Sequence, residues 1–198
     1  MEENNAKIGK VIAIIFAVLI GLAVIFVMVV KDKEGGDSSS SLSKEQVYDK
    51  NGLSFTYPAG YIMTSDNYED GVVDVTCEVK GSELGQIEIS YASMEEFKLL
   101  SDDDKNDLCR STLQTMTTDL RNKLLFGEVS FDPITTGYIG DRPGYQMDYY
   151  LTILSVKSQG TAKIAVTEEG QMLVIVTLYE NHDYKKTLDK IENSIKLQ

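Results

Sequence analysis

Residues 145–179 read YQMDYYLTILSVKSQGTAKIAVTEEGQMLVIVTLY. Tyr145, Met147, Tyr149, Leu151 and Ile153 alternate with Gln146, Asp148, Tyr150 and Thr152. This period of two marks a long strand with one face turned to a core. Ser158-Gln159-Gly160 is expected to turn the chain into a second strand through Ala162, Ile164 and Val166. Glu169-Gly170 is expected to make another tight turn into Met172–Tyr179. Turns this short join antiparallel strands only. The stretch therefore predicts a three-stranded antiparallel meander.

The segments before it supply more strands and the helices. Ser43-Lys44-Glu45-Gln46 has the form of a capping box, which predicts a short helix ending at Asn51-Gly52. Leu53, Phe55 and Tyr57 then alternate up to Pro58, as a strand does. Val73, Val75, Cys77 and Val79 alternate with Asp74, Thr76, Glu78 and Lys80, a strand with one wet face. Gly81 to Gly85 is expected to turn it into a partner over residues 86–91. Ser93 caps a short expected helix over 94–100. Ser101 caps a long one whose first turn holds Asp102, Asp103 and Asp104, where negative charge complements the helix dipole. Cys109, Leu113, Met116, Leu120 and Leu124 fall on one face of it. Beyond the meander, Asp183 is expected to cap a last helix with Tyr184, Leu188, Ile191 and Ile195 on one face. Strands segregated from helices in this order give an α+β fold, an antiparallel sheet sandwiched by helices.

Residues 11–30 form a different physical unit. They are twenty apolar residues without charge or proline, VIAIIFAVLIGLAVIFVMVV. Twenty helical residues span the roughly 30 Å hydrocarbon core of a bilayer. The run is too long for a signal-peptide core, and it ends in Val29-Val30-Lys31-Asp32-Lys33 with no small-x-small cleavage site. The expectation is an uncleaved single-pass anchor whose partner is the lipid bilayer. Lysines balance across the span, Lys7 and Lys10 before it and Lys31 and Lys33 after it. A short tail followed by one span and a long domain gives a cytoplasmic N-terminus and an outer C-terminal domain in the cell membrane. Gly9, Ala13, Ala17 and Gly21 recur every fourth residue as a stripe of small side chains, a candidate packing face for pairing with another membrane helix. The domain plan is thus a tail over 1–10, an anchor over 11–30, a Gly/Ser linker over 31–43 and one folded domain over 44–198. Residues 35–43, Gly-Gly-Asp-Ser-Ser-Ser-Ser-Leu-Ser, reach roughly 15–18 Å as a flexible coil.

The chain carries a formal net charge of −12, with 31 Asp and Glu against 19 Lys and Arg. Residues 1–34 are neutral, so all of that charge belongs to the linker and the domain. An acidic domain repels phosphate backbones, which excludes nucleic acid as a natural partner.

Four stretches of the domain resemble the PsbP-like family, small sandwiches named after an accessory protein of the oxygen-evolving photosystem. Gly52-Leu53-Ser54-Phe55-Thr56-Tyr57-Pro58-Ala59-Gly60-Tyr61 is similar to its opening strand, with Tyr61 where the family usually has Trp. Gly140-Asp141-Arg142-Pro143-Gly144-Tyr145 resembles the turn into its long central strand. Residues 170–179 resemble the last strand of the meander, and Ile191-Glu192-Asn193-Ser194-Ile195 the closing helix. The resemblance implies a binding or accessory module, because that family has no shared catalytic site. It transfers no functional residue.

The residues themselves offer little chemistry. The single histidine, His182, sits between Asn181 and Asp183, and adjacent side chains seldom face one another. One His without a Cys pair makes no zinc site. Ser41-Leu42-Ser43-Lys44 has a Ser-x-x-Lys spacing but lies in the linker, where a nucleophile lacks rigid support. Asp102, Asp104 and Asn106 share the opening spacing of a calcium loop, yet Asp107 stands where that loop needs Gly. Asp66, Glu69 and Asp70 before Gly71 read as a solvated turn. Cys77 and Cys109 both fall on apolar faces. They form a disulfide if the long helix covers that sheet face, and otherwise remain buried free thiols. No catalytic, cofactor or metal residue is expected. The expected function is a membrane-anchored extracytoplasmic binding or accessory module, not an enzyme. The alternative is a structural subunit of a membrane complex held through its transmembrane helix.

Overall fold

The computed structural model describes residues 45–124, 127–153 and 155–198. In chain order the strands are β1 (Gln46–Lys50), β2 (Leu53–Tyr57), β3 (Tyr61–Glu69), β4 (Val72–Val79) and β5 (Ser82–Ser93). The helices α1 (Glu95–Lys98) and α2 (Asp102–Lys123) follow. Then come β6 (Glu128–Phe131), β7 (Thr135–Ile139), β8 (Arg142–Ile153), β9 (Val156–Val166) and β10 (Gln171–Tyr179). The chain closes with α3 (His182–Asn193) and β11 (Lys196–Leu197).

Eight strands make one antiparallel sheet in the order β3-β4-β5-β10-β9-β8-β6, with β7 paired beside β6 on β8. The sequence-predicted meander β8-β9-β10 is its middle. β10 is buried on both faces at nearly every position, the mark of a strand covered on two sides. One face carries α1 and α2 over Met147, Tyr149, Ile164, Met172 and Val174. The other carries α3 and a three-stranded sheet, β1-β2-β11, over Val75, Ile87, Ile89, Leu173 and Ile175. The fold is α+β with an antiparallel sheet, as expected. Its second covering layer differs from the expectation, because a small sheet shares it with one helix.

Several local expectations are corrected. Residues 46–50 are not helical: β1 pairs with β2 in register from Gln46↔Tyr57 to Lys50↔Leu53. Asn51 (φ 51) and Gly52 (φ 82) turn the hairpin. Two successive left-handed residues favour a two-residue hairpin turn, and that turn overrides the helix-start signal. Tyr48 stacks on Phe55 at 5.1 Å between ring centroids, which buries the inner face of the hairpin.

Residues 158–160 lie inside β9, and the β8–β9 turn is made at Ser155 (φ 73). Gly160 is needed for close approach. A Cβ there would stand 2.4 Å from the Tyr149 ring and 2.0 Å from the Thr177 carbonyl oxygen. Tyr149 lies flat across the sheet in the space left free and donates a 2.6 Å hydrogen bond to that carbonyl.

Ser93 belongs to β5, and α1 begins after Met94 without a side-chain cap. The β4–β5 turn is tighter than expected, at Lys80-Gly81. Asp66 and Glu69 lie in a strand, β3, and only Asp70-Gly71 form the turn. Asn181, rather than Asp183, caps α3, its side chain accepting from the Tyr184 N–H at 2.9 Å. That helix ends at Asn193, and Ile195 is buried beyond it. Lys163 of β9 and Glu192 of α3 form a 2.6 Å ion pair, with side chains 19% and 7% exposed, that ties the helix to the sheet.

The anchor over 11–30, its Gly9, Ala13, Ala17 and Gly21 stripe, and the linker over 31–43 lie outside the described residues. Among the described residues no helix is long and apolar enough to cross a membrane.

Candidate functional site

One end of the sheet opens into a groove of about 990 Å³. Its walls are the first turns of α2, the β7–β8 turn and the β9–β10 turn. Each wall follows from local sequence. Ser101 fixes the start of α2 by a reciprocal capping box, its hydroxyl accepting from the Asp104 N–H at 3.2 Å while its own N–H donates to Asp104 Oδ2 at 3.4 Å. That start sets Lys105, one turn in, against the groove. The turn at Gly140-Asp141 places Arg142 at the head of β8. Tyr138 of β7 stands 65% exposed at the rim.

Two cations line the groove, and neither makes a side-chain hydrogen bond among the described residues. The Lys105 side chain is 11% exposed, and its Nζ lies 3.7 Å from Asp102. The Arg142 side chain is 21% exposed and lies 3.6 Å from Asp141. Both separations exceed hydrogen-bond length. The carboxylates themselves are 90% and 92% exposed. Glu168 and Glu169 add two more acids. A hydrogen bond from Thr167, then one from its own backbone N–H, and last the positive charges of Arg142 and Lys105 hold the Glu169 carboxyl below the usual range. Arg110 sits 4.6 Å over the Tyr145 ring nearby.

A second polar cluster lies inside the sheet, on the face that carries α1 and α2. Asp74 of β4 pairs in register with Ser90 of β5, and Glu88 is the next inward residue along β5. The two carboxyls are therefore diagonal neighbours. Ser90 donates to Asp74 Oδ1 at 3.0 Å. Asp74 Oδ2 and both Glu88 oxygens have no hydrogen-bond partner. Burial pushes the Asp74 carboxyl up to about 6, against the Ser90 bond that lowers it. Burial, and then the neighbouring Asp74 charge, push Glu88 well above the carboxylate range. Neither residue lines the groove. These carboxyls are enclosed in the packed interior, away from the groove.

The wet face expected for β4 is thus buried at Asp74, which is 3% exposed. The signal for this was β10: a strand of the same sheet, two places from β4, that is apolar on both faces implies that the sheet is covered on both. Nothing in spacing marked Lys105 or Arg142, because a contact between the head of one strand and a helix start distant in sequence leaves no local period.

Cys77 and Cys109 lie on opposite sides of the sheet, Cys77 in β4 on the face that carries α3 and Cys109 on α2, which packs against the other face. Both thiols are buried and free, and burial pushes each up to about 12. The long helix covers the face away from Cys77, so the condition for a disulfide is not met. His182 is exposed in the first turn of α3. Asp104 is spent in the capping box of α2. Asp66 accepts from the Tyr48 hydroxyl at 2.9 Å and pairs with Lys50, fastening β1 to β3.

No family model matches the sequence, and no curated protein matches it. Among solved structures the chain is similar to cyanobacterial PsbP (CyanoP) from Synechocystis sp. PCC 6803. The TM-score is 0.56 at 14% identity, over 84% of this chain and 100% of that one. It is also similar to a protein of Bacteroides thetaiotaomicron VPI-5482, with a TM-score of 0.51 at 11% identity, over 80% of this chain and 49% of that one. At such identities the likeness establishes the fold, which is PsbP-like.

Proposed function

We propose that this protein is a membrane-anchored, extracytoplasmic accessory module that binds a peptide or small ligand in the groove without catalysing a reaction. The observation that carries the reading is the groove itself, together with where it stands. The tip of the β1–β2 hairpin adjoins it: the Gln198 N–H donates to the Gly52 carbonyl, beside Gln171 and Leu197 of the groove lining. Gln46 lies at the other end of β1, about 13 Å farther along the strand. Gln46, the end of β1 nearer in sequence to residues 11–30, thus lies away from the groove. An anchor there would present the groove to partners outside the bilayer.

The distribution of acids supports binding rather than chemistry. The carboxyls with the most perturbed proton affinity are interior, and the groove acids are exposed and spread along a rim. A general acid–base pair requires proton donors and acceptors within hydrogen-bond reach of one reacting group. The alternative, a subunit assembled through its membrane helix, draws on the Gly9–Gly21 stripe, and replacing residues 11–30 by an unrelated membrane helix would abolish function under it.

Site-specific photocrosslinking in native membranes tests the groove reading. A photoreactive residue at position 138 should give a discrete adduct that Arg142→Glu removes. The same probe at Tyr68, 62% exposed on the opposite edge strand β3, should give none. Equal adducts from both positions, or none from either, would sink the reading.

A further inference from the structure

Lys105 and Arg142 hold their charged heads at the groove with most of each side chain buried and with no hydrogen bond made. Buried stems leave the heads little freedom to turn back into bulk water. A guanidinium and an ammonium so placed keep their donors open to a ligand acceptor, and a carboxylate fits the guanidinium fork with two parallel bonds. The nearest protein carboxylates, 3.7 and 3.6 Å away, are solvated rim groups that leave those donors unmatched. Lys105, Arg142 and Glu169 line the same groove, so both cations face one binding space. The result is a positive floor beneath an acidic rim of Asp102, Asp141, Glu168 and Glu169. A bare anion would have to pass the rim, and a bare cation would meet the floor. A ligand with both charges answers both.

Resting on the groove as the binding surface, we infer that it takes a zwitterionic ligand, the carboxylate seated on Lys105 and Arg142 and the ammonium among the rim carboxylates. Free amino acids and short peptides share that chemistry.

The test is an amide-resonance titration of the full chain in detergent micelles with five probes: glycine, triglycine, triglycine amide, N-acetyl-triglycine and inorganic phosphate. Triglycine or glycine should shift resonances around Gly137, Arg142 and Gly144. Stronger shifts with glycine identify a free amino acid as the source, and stronger shifts with triglycine a peptide. The amide, lacking the carboxylate, should bind about tenfold or more weakly, and the acetylated peptide should lose a smaller factor. Arg142→Ala should match the loss seen with the amide, and Arg142→Lys should recover part of it. Lys105→Gln gives a second reading if Arg142→Ala misfolds. Equal binding of acid and amide overturns the inference, as does tighter binding of inorganic phosphate than of triglycine. Silence from every probe overturns it too, while an adduct at position 138 would leave the groove standing as a surface for another ligand class.

Discussion

At the residue scale, the most consequential side chains are Asp74 and Glu88, polar groups set into an apolar layer. A carboxyl whose affinity for protons is raised on folding stabilises the native state fully below its ordinary range. It loses that contribution as pH rises through its folded value. For Asp74 the window runs from 3.8 to about 6. A shift of that size costs on the order of 3 kcal/mol once the group is ionised in both states. Glu88 extends the loss to higher pH, its carboxyl being raised by burial and by Asp74. Asp74→Asn keeps an oxygen for the Ser90 hydroxyl and cannot ionise. Its stability relative to the unmodified protein should therefore rise by about 2–3 kcal/mol between pH 4 and pH 8. Urea melts at both pH values check this, and parallel curves for the two proteins would refute it. Such positions are hard to read in a sequence, because Asp74 alternates with valines as a solvent-facing residue would. Only the layer packed above it, assembled from distant segments, decides that it is buried.

At the element scale, α2 was legible because cap, dipole and apolar stripe agree. Ser101 and Asp104 satisfy one another's backbone donors, and Cys109, Leu113 and Met116 are buried at helical spacing. Ser101→Ala should cost about 1 kcal/mol in equilibrium unfolding. Because that cap sets Lys105 against the groove, the same change should also weaken any groove ligand. An unchanged midpoint would mean the capping box contributes nothing. β8 and β10 were legible for a similar reason, an unbroken alternation or apolar run. The misread elements share a different cause. Gly160 looked like a turn residue and is a packing residue beneath Tyr149. Gln46–Lys50 looked like the start of a helix, and the Asn51-Gly52 turn made it half of a hairpin. β6 and β7 are four and five residues long and half exposed, too short and too polar to stand out before β8 pairs with them.

At the scale of the whole molecule, the sequence holds two stretches of opposite character, the apolar residues 11–30 and the acidic residues 35–198. The domain and linker carry all of the −12 charge, and the preceding residues are neutral. The net charge therefore gives the chain no overall attraction to anionic lipid, since like charges repel. Insertion of residues 11–30 would hold it on a membrane, and insertion has a signature that peripheral binding lacks. Burying twenty apolar residues is insensitive to ionic strength and to alkaline pH, whereas surface association is screened within about 10 Å at moderate salt. The full chain should therefore stay in the membrane pellet through both high-salt and alkaline carbonate washes, and a chain lacking residues 11–30 should appear in the supernatant. With the N-terminus inside, protease added to intact spheroplasts should digest the 44–198 domain and leave the anchor fragment in the membrane. Release of the full chain by carbonate would refute insertion, and protection of the domain until lysis would reverse the orientation. Either result would also change what the groove can meet, because the groove samples whichever compartment the domain occupies.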